Sequence, residues 1–320
     1  MLLSGTERGE FVIRPKQVRP AGRLGGASAG QARTPNIGRA ILYMALAMSL
    51  LPCLNAAAKY LGHSYATVEI VWARYAGHFA YMVVVFLPQR GLALFATSRL
   101  SVQVLRSALL VSATGIYFTA LHYTALPTAA IISFVSPFMM IALAGLLLGE
   151  PVGAHRWAAA AIGFLGALVI LRPGTGALPL ASFLLLISAA CNALYQILTR
   201  GLAARDSAET SNTYIAVVGF VLTSLAVPFF WETPRSLFDL LLFVSLGIFG
   251  GFGHYFIVKA LEWGPAAVIA PLNYGQLIGT VIIGYFAFGE FPDLWTWTGA
   301  LVIVMSGLYI FYRERRRANA

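Results

Sequence analysis

Apolar residues fall into ten long runs along this chain, with polar and charged residues gathered in short gaps between them. The runs cover roughly 38–59, 67–88, 103–122, 126–148, 155–172, 178–198, 212–230, 237–260, 266–288 and 295–312. Each is close to the ~20 residues a helix needs to cross a bilayer. The pattern predicts an all-α integral membrane protein of ten transmembrane helices, with no loop long enough for a separate soluble domain. Composition agrees: 59% of the 320 residues are hydrophobic and 11% charged, with a mean hydropathy of +0.77. A water-soluble domain carries roughly 25% charged residues. Cys53 and Cys191 both fall inside apolar runs and read as packing residues.

The net charge of +10 could mark a nucleic-acid binder, but its distribution excludes that reading. With the N-terminus inside, the inner segments hold Arg8, Arg14, Lys16, Arg19, Arg23, Arg33, Arg39, Arg90, Arg99, Arg106 and Arg156. They also hold Arg200, Arg205, Lys259, Arg313, Arg315, Arg316 and Arg317, which makes 18 of the 22 Lys and Arg. Outer segments hold only Arg172 and Arg235, while Lys59 and Arg74 lie at or within spans. Basic residues gather on cytoplasmic loops, so both termini are expected in the cytoplasm, in a multi-pass protein of the cell inner membrane. The charge then faces anionic lipid headgroups. Residues 1–37 lack an apolar core for a signal peptide and read as a disordered basic tail, as 313–320 reads as a second basic tail. Gly26–Gly30 matches G-x-S-x-G, but that motif needs a strand–turn–helix junction that nothing here offers.

The second half repeats the first. Shifted by 140 residues, Ala120-Leu121 falls on Ala260-Leu261, Phe134 on Tyr274, Gly149-Glu150 on Gly289-Glu290 and Trp157 on Trp297. At an offset of 137, Asn55-Ala56 falls on Asn192-Ala193. The chain divides into two five-span units, 38–172 and 178–312. Five is odd, so the second unit enters the membrane inverted, with Glu150 at the cytoplasmic face and Glu290 at the outer face. Inverted repeats place a central site where two halves can exchange conformations. The glutamates read most simply as helix-end residues near headgroups that cap a following helix.

The segments "ALHYTALPTAAIISFVSPFMMIALAGLLLGE" at 120–150 and "ALEWGPAAVIAPLNYGQLIGTVIIGYFAFGE" at 260–290 carry a resemblance. The chain resembles the drug/metabolite transporter superfamily, specifically its EamA-type ten-helix permeases, over about 38–312. It departs in placing the mid-helix proline differently in the two halves, Pro137 and Pro271. The resemblance implies a cavity lined by spans 1–4 and 6–9, with spans 5 and 10 peripheral. It also implies a small-molecule cargo drawn from amino acids, nucleotide sugars, purines, cofactors or lipophilic cations. "EIVWARYAGHFAYMVV" at 69–84 and "NALYQILTR" at 192–200 are similar to bacterial riboflavin permeases, which makes riboflavin uptake the best single cargo expectation. An amino-acid or metabolite exporter of the same fold is the alternative.

Ionisable groups inside spans are costly and default to functional candidates. Arg74 should lie about 10 Å below the outer face at 1.5 Å per residue, with His78 one turn further along. Arg74 either contacts an acidic or carbonyl group of the cargo or pairs with Glu69, which Lys59 could also reach. Asn55, Asn192, Gln196, Asn273 and Gln276 could hydrogen-bond a polar heterocycle, and Trp72, Tyr117, Tyr195 and Tyr274 could stack on it. Interhelical hydrogen bonding is the plainer role for the same amides. Pro271 frees a carbonyl beside them. Glu69, His254 and Glu262 are candidate coupling groups, the last two as a proton relay. Gly145/Gly149 and Gly247/Gly251 form GxxxG pairs, which mean close packing inside the protein or at a homodimer face. There is no HExxH, no Walker A sequence and no filter-like segment, so neither a membrane enzyme, an ATPase nor a channel is expected. No cofactor or metal is expected.

Overall fold

The structure is a computed structural model describing residues 36–148, 152–172, 180–202, 206–264 and 269–318. The tail over 1–35, the Gly26–Gly30 motif and the first Gly-Glu corner at 149–150 lie outside the described residues. The helices are α1 (Ile37–Gly62), α2 (Thr67–Tyr81), α3 (Leu100–Leu121), α4 (Leu126–Ser133), α5 (Ser136–Leu148) and α6 (Ala154–Leu171). They continue as α7 (Leu180–Leu202), α8 (Ala208–Ala226), α9 (Leu237–Trp263), α10 (Gly275–Phe288) and α11 (Leu294–Ala318).

Their starts are written in the sequence. Asn36, Ser207 and Ser236 each accept a hydrogen bond from the backbone N–H three residues on, at 3.0–3.1 Å, and so begin α1, α8 and α9. Asp293 does the same for Thr296 at 2.9 Å at the head of α11. Gly289, with φ of +68°, closes α10 in the left-handed conformation glycine adopts without strain.

Among the described residues, nine helical segments are long and apolar enough to cross a membrane. The run expected over 266–288 is different. Its described part is a 3₁₀ turn, Ala270–Tyr274, leading into the 14 residues of α10. Pro271 lacks an N–H and biases the preceding residue away from helix, so the α-helical ladder starts only after it. The corresponding first-half run is also broken. Phe134 and Val135 form a turn between α4 and α5, and Pro137 has no N–H for the carbonyl of Ser133. The two breaks meet, with the rings of Phe134 and Tyr274 stacked at 5.0 Å and 30°.

Small residues let the helices approach. A Cβ added to Gly77 of α2 or Gly247 of α9 would run into the other's Cα, so Gly247 serves packing within the chain. Gly251 lies against Tyr81 and Gly145 against Val152 and Trp157, also within the chain. α6 and α11 pack on each other: a Cβ on Gly166 would sit 3.0 Å from the Gly299 carbonyl oxygen, and Ser306 Oγ donates to the Ala159 carbonyl at 2.6 Å.

Polar ties join the helices at two ends. At one end Tyr65 donates to Asp239 at 2.8 Å, Glu69 accepts the Glu232 N–H, Arg172 pairs with Asp293, and Lys59 pairs with Glu290 at 2.6 Å. At the other, Arg90 pairs with Glu209 at 3.0 Å, and Gln103 donates to Asp206 at 2.7 Å. Arg106, counted from sequence among the inner-face charges, is fully buried there. It donates to Gln103, Thr199 and the Ser211 carbonyl at 2.5–2.8 Å. A buried guanidinium needs this many acceptors because its desolvation is otherwise uncompensated.

Candidate functional site

A cavity of about 690 Å³ lies among these helices, within the size range of small-molecule sites. Its walls come from α1, α2, α3, the broken pair α4/α5, the start of α6, α7, α9, the 3₁₀ turn before α10 with the first turn of α10, and α11. The two interrupted helices face it because proline breaks leave irregular backbone that is tolerated at membrane depth only where it borders protein or a cavity.

Arg74 stands at one pole. Its Nη1 donates to Thr114 Oγ1 at 2.7 Å, and Nη2 lies 3.5 Å from His254 Nε2. Its guanidinium sits over Tyr75 and Phe118, 5.2 and 5.9 Å from the ring centroids. No carboxylate among the described residues pairs with Arg74, and none lines the cavity. His254 lines the cavity too, and His78 stacks on its far face at 5.8 Å and 5°.

An amide pole lies on α7. Gln196 Nε2 donates to Asn192 Oδ1 at 2.9 Å and lies 3.2 Å from Ser136 Oγ. Asn55, Asn273 and Gln276 also reach the cavity, as do the rings of Tyr117, Phe134 and Tyr274. The two poles, the amides and these rings share one enclosure, so a bound molecule could meet a cation, amide donors and acceptors, and aromatic faces together.

Nine expected residues therefore line the cavity: Asn55, Arg74, Tyr117, Asn192, Gln196, His254, Asn273, Tyr274 and Gln276. Five do not. Trp72 donates to Ser224 at 2.9 Å and packs edge-on against Trp231, joining α2 to the segment after α8. Tyr195, three residues from Asn192, turns off that face and meets Arg106 at 5.4 Å. His78 sits behind His254. Glu69 is buried and holds the Glu232 N–H; it does not meet Arg74 or Lys59. Glu262 is exposed and pairs with Lys259 at 2.7 Å, outside the cavity and away from His254.

Other lining residues were not anticipated: Thr114 and Ser188 in mid-helix, Ser133 and Ser136 on either side of the α4/α5 break, and Arg156 and Arg200 at the end opposite Lys59. Hydroxyls within apolar runs were the available signal for the first four. Arg156 and Arg200 were counted only as inner-face charges, because a sequence does not say that a helix end borders a cavity. The lining also corrects the expected division of helices. α8 supplies none of the described lining, whereas Arg156, Gly307 and Leu308 show α6 and α11 taking part.

The sequence matches the model of the EamA-like transporter family twice, over residues 38–172 and 179–312. It is 31% identical to an S-adenosylmethionine uptake transporter of Rickettsia prowazekii, covering 82% of this chain and 88% of that protein. It is 30% identical to a riboflavin transporter of Rhizobium johnstonii over 86% and 92%. A pseudopaline exporter of Pseudomonas aeruginosa is 27% identical over 83% and 93%. One solved crystal structure superposes with a TM-score of 0.63 at 18% identity, over 87% of this chain and 97% of that one, a likeness of fold alone.

Proposed function

This chain belongs to the EamA-like transporter family, and from that premise we propose that it is an alternating-access secondary transporter whose cargo joins a planar polar heterocycle to a carboxylate. The coarser part of this stands on family membership: a multi-pass membrane protein that moves small metabolites rather than an enzyme. The observation that carries the finer part is Arg74, a cavity-lining guanidinium at membrane depth with hydroxyl, imidazole and ring neighbours but no carboxylate among the described residues. A charge there is costly until an anion meets it. S-adenosylmethionine, the cargo named for the Rickettsia relative, has the required parts. Its carboxylate suits Arg74, its adenine edge suits the amides of Asn192, Gln196 and Asn273, and its sulfonium suits the faces of Tyr117, Phe134 and Tyr274.

The mechanism we propose uses ten spans arranged as two inverted five-helix units, with the run ending in α10 as the split tenth span. Both termini lie in the cytoplasm and the protein in the inner membrane. Two observations favour the pseudo-two-fold. Phe134 and Tyr274, which occupy matching positions 140 residues apart, stack on each other. Likewise the Gly166–Gly299 contact and the Ser306–Ala159 hydrogen bond exchange under the same shift, as an isologous contact requires.

Riboflavin uptake is the second reading, favoured by the Rhizobium relative. Its ring system suits the amides and aromatic faces but leaves Arg74 without an anion. Radiolabelled S-adenosylmethionine uptake into cells with and without this chain tests the choice. Saturable uptake competed by unlabelled S-adenosylmethionine is expected; riboflavin uptake without it would favour the second reading, and solute loss from preloaded cells an exporter.

A further inference from the structure

We propose that Lys59 and Glu290 form a gate whose parting opens the cavity at the end where it is now closed. The second Gly-Glu corner places Glu290 where three chain segments converge. Glu290 Oε1 takes the Lys59 ammonium at 2.6 Å, and Oε2 accepts the Leu126 N–H at 2.8 Å, one of the free N–H groups in the first turn of α4. Lys59 also donates to the Thr124 carbonyl at 2.6 Å and lies 5.5 Å from the centroid of Phe288. The end of α1, the α3–α4 turn and the α10–α11 corner are thus fastened by one carboxylate and one ammonium.

The same three segments form the cavity wall further in. Asn55, one turn before Lys59, lines it; so do Ser133 on α4 and Gln276 on α10. No described residue of α1 beyond Asn55, of α4 before Ala130 or of α10 beyond Gln276 does so, whereas the lining runs to Arg156, Arg200 and Phe311 at the other end. The tie therefore caps a cavity reached from the opposite side. It is also largely shielded: the Lys59 side chain is 6% exposed and that of Glu290 24%. Buried partners cost little together and much apart, unless water replaces each of them. Wetting the pair and opening that end are then one event, and the pair sets how much of the population is closed there. This inference rests on the alternating-access reading but not on the identity of the cargo.

The test places one reporter cysteine, Ser133→Cys, in a Cys53→Ala/Cys191→Ala background and measures alkylation by a membrane-impermeant thiol reagent in whole cells and inverted vesicles. The background should react faster in vesicles, which expose the Arg156 and Arg200 end. Glu290→Gln and, separately, Lys59→Met should speed the reaction in whole cells roughly tenfold and slow it in vesicles. Whole-cell rates unchanged in both variants overturn the gate. So does failure of both variants to accumulate in the membrane, which would make the pair a folding element. A background reporter reached equally from both sides contradicts the closed end and with it the gate, as does side-selective labelling that ignores both variants, whereas a reporter reached from neither side in the background or in either variant contradicts the alternating-access reading itself.

Discussion

Arg74→Gln is the substitution that separates the two cargo readings. The change removes the cation but leaves a side chain that can still donate a hydrogen bond. Its structural cost is limited, because Thr114 Oγ1 keeps its bond to the Leu110 carbonyl at 2.9 Å and its contact with the Tyr75 hydroxyl at 3.1 Å. Losing the single Arg74–Thr114 bond should cost about 1 kcal/mol of stability. The cargo loses more. A charge-assisted hydrogen bond to a carboxylate contributes about 1.5–3 kcal/mol, which corresponds to roughly 10- to 150-fold in affinity. Initial rates of S-adenosylmethionine uptake against concentration, normalised to membrane-inserted protein, should therefore show KM raised by that factor with the maximal rate little changed. A KM within about threefold of the parent chain would refute the assignment of Arg74 to an anionic group, given how large the lost term should be.

Trp72→Phe should leave KM unchanged and lower the melting temperature modestly, since it removes only the bond to Ser224; a raised KM would put Trp72 back in the cargo path. Gly77→Leu places a side chain where Gly247 Cα lies, so overpacking by about 1–3 kcal/mol or more should show as lost monodisperse protein in detergent gel filtration. Arg106→Met leaves Gln103, Thr199 and the Ser211 carbonyl without their donor. Each buried acceptor left unpaired should cost about 1–3 kcal/mol, read as a drop in melting temperature. His122, at the C-terminal end of α3, is held below the usual imidazole range, first by burial and then by His63, with Lys59 adding to it. Its lowered folded pKa means the unfolded chain binds the extra proton first. Stability should thus be full above about pH 6.5 and fall as pH drops below it, and His122→Gln should flatten that fall in a melting series from pH 8 to pH 5.

Much of this molecule was legible because the bilayer imposes its dimensions on sequence. Among the described residues, nine of the ten runs became helical segments of spanning length. Mid-span amides were legible as cavity residues because polar groups at that depth need a reason to be there. Direction around a helix was the weaker inference: Asn192 and Gln196 face the cavity, but Tyr195 between them turns to Arg106. Pairings between distant segments were not legible at all. Lys59 was matched to Glu69 by proximity in sequence, yet its partner, Glu290, lies 231 residues away. Glu69 instead serves a backbone N–H at Glu232. Nor could an apolar pattern announce that Arg156 and Arg200 border the site, since a helix-end arginine looks the same beside lipid headgroups as beside a cavity.

The central claim is movement of an organic cargo through one alternately exposed site, and counterflow measures that directly. Purified protein in liposomes preloaded with unlabelled S-adenosylmethionine should draw in external radiolabelled S-adenosylmethionine transiently above equilibrium, and empty liposomes should not. Label entering preloaded and empty protein-free liposomes at the same rate as protein-containing ones, with riboflavin behaving identically, would contradict the account.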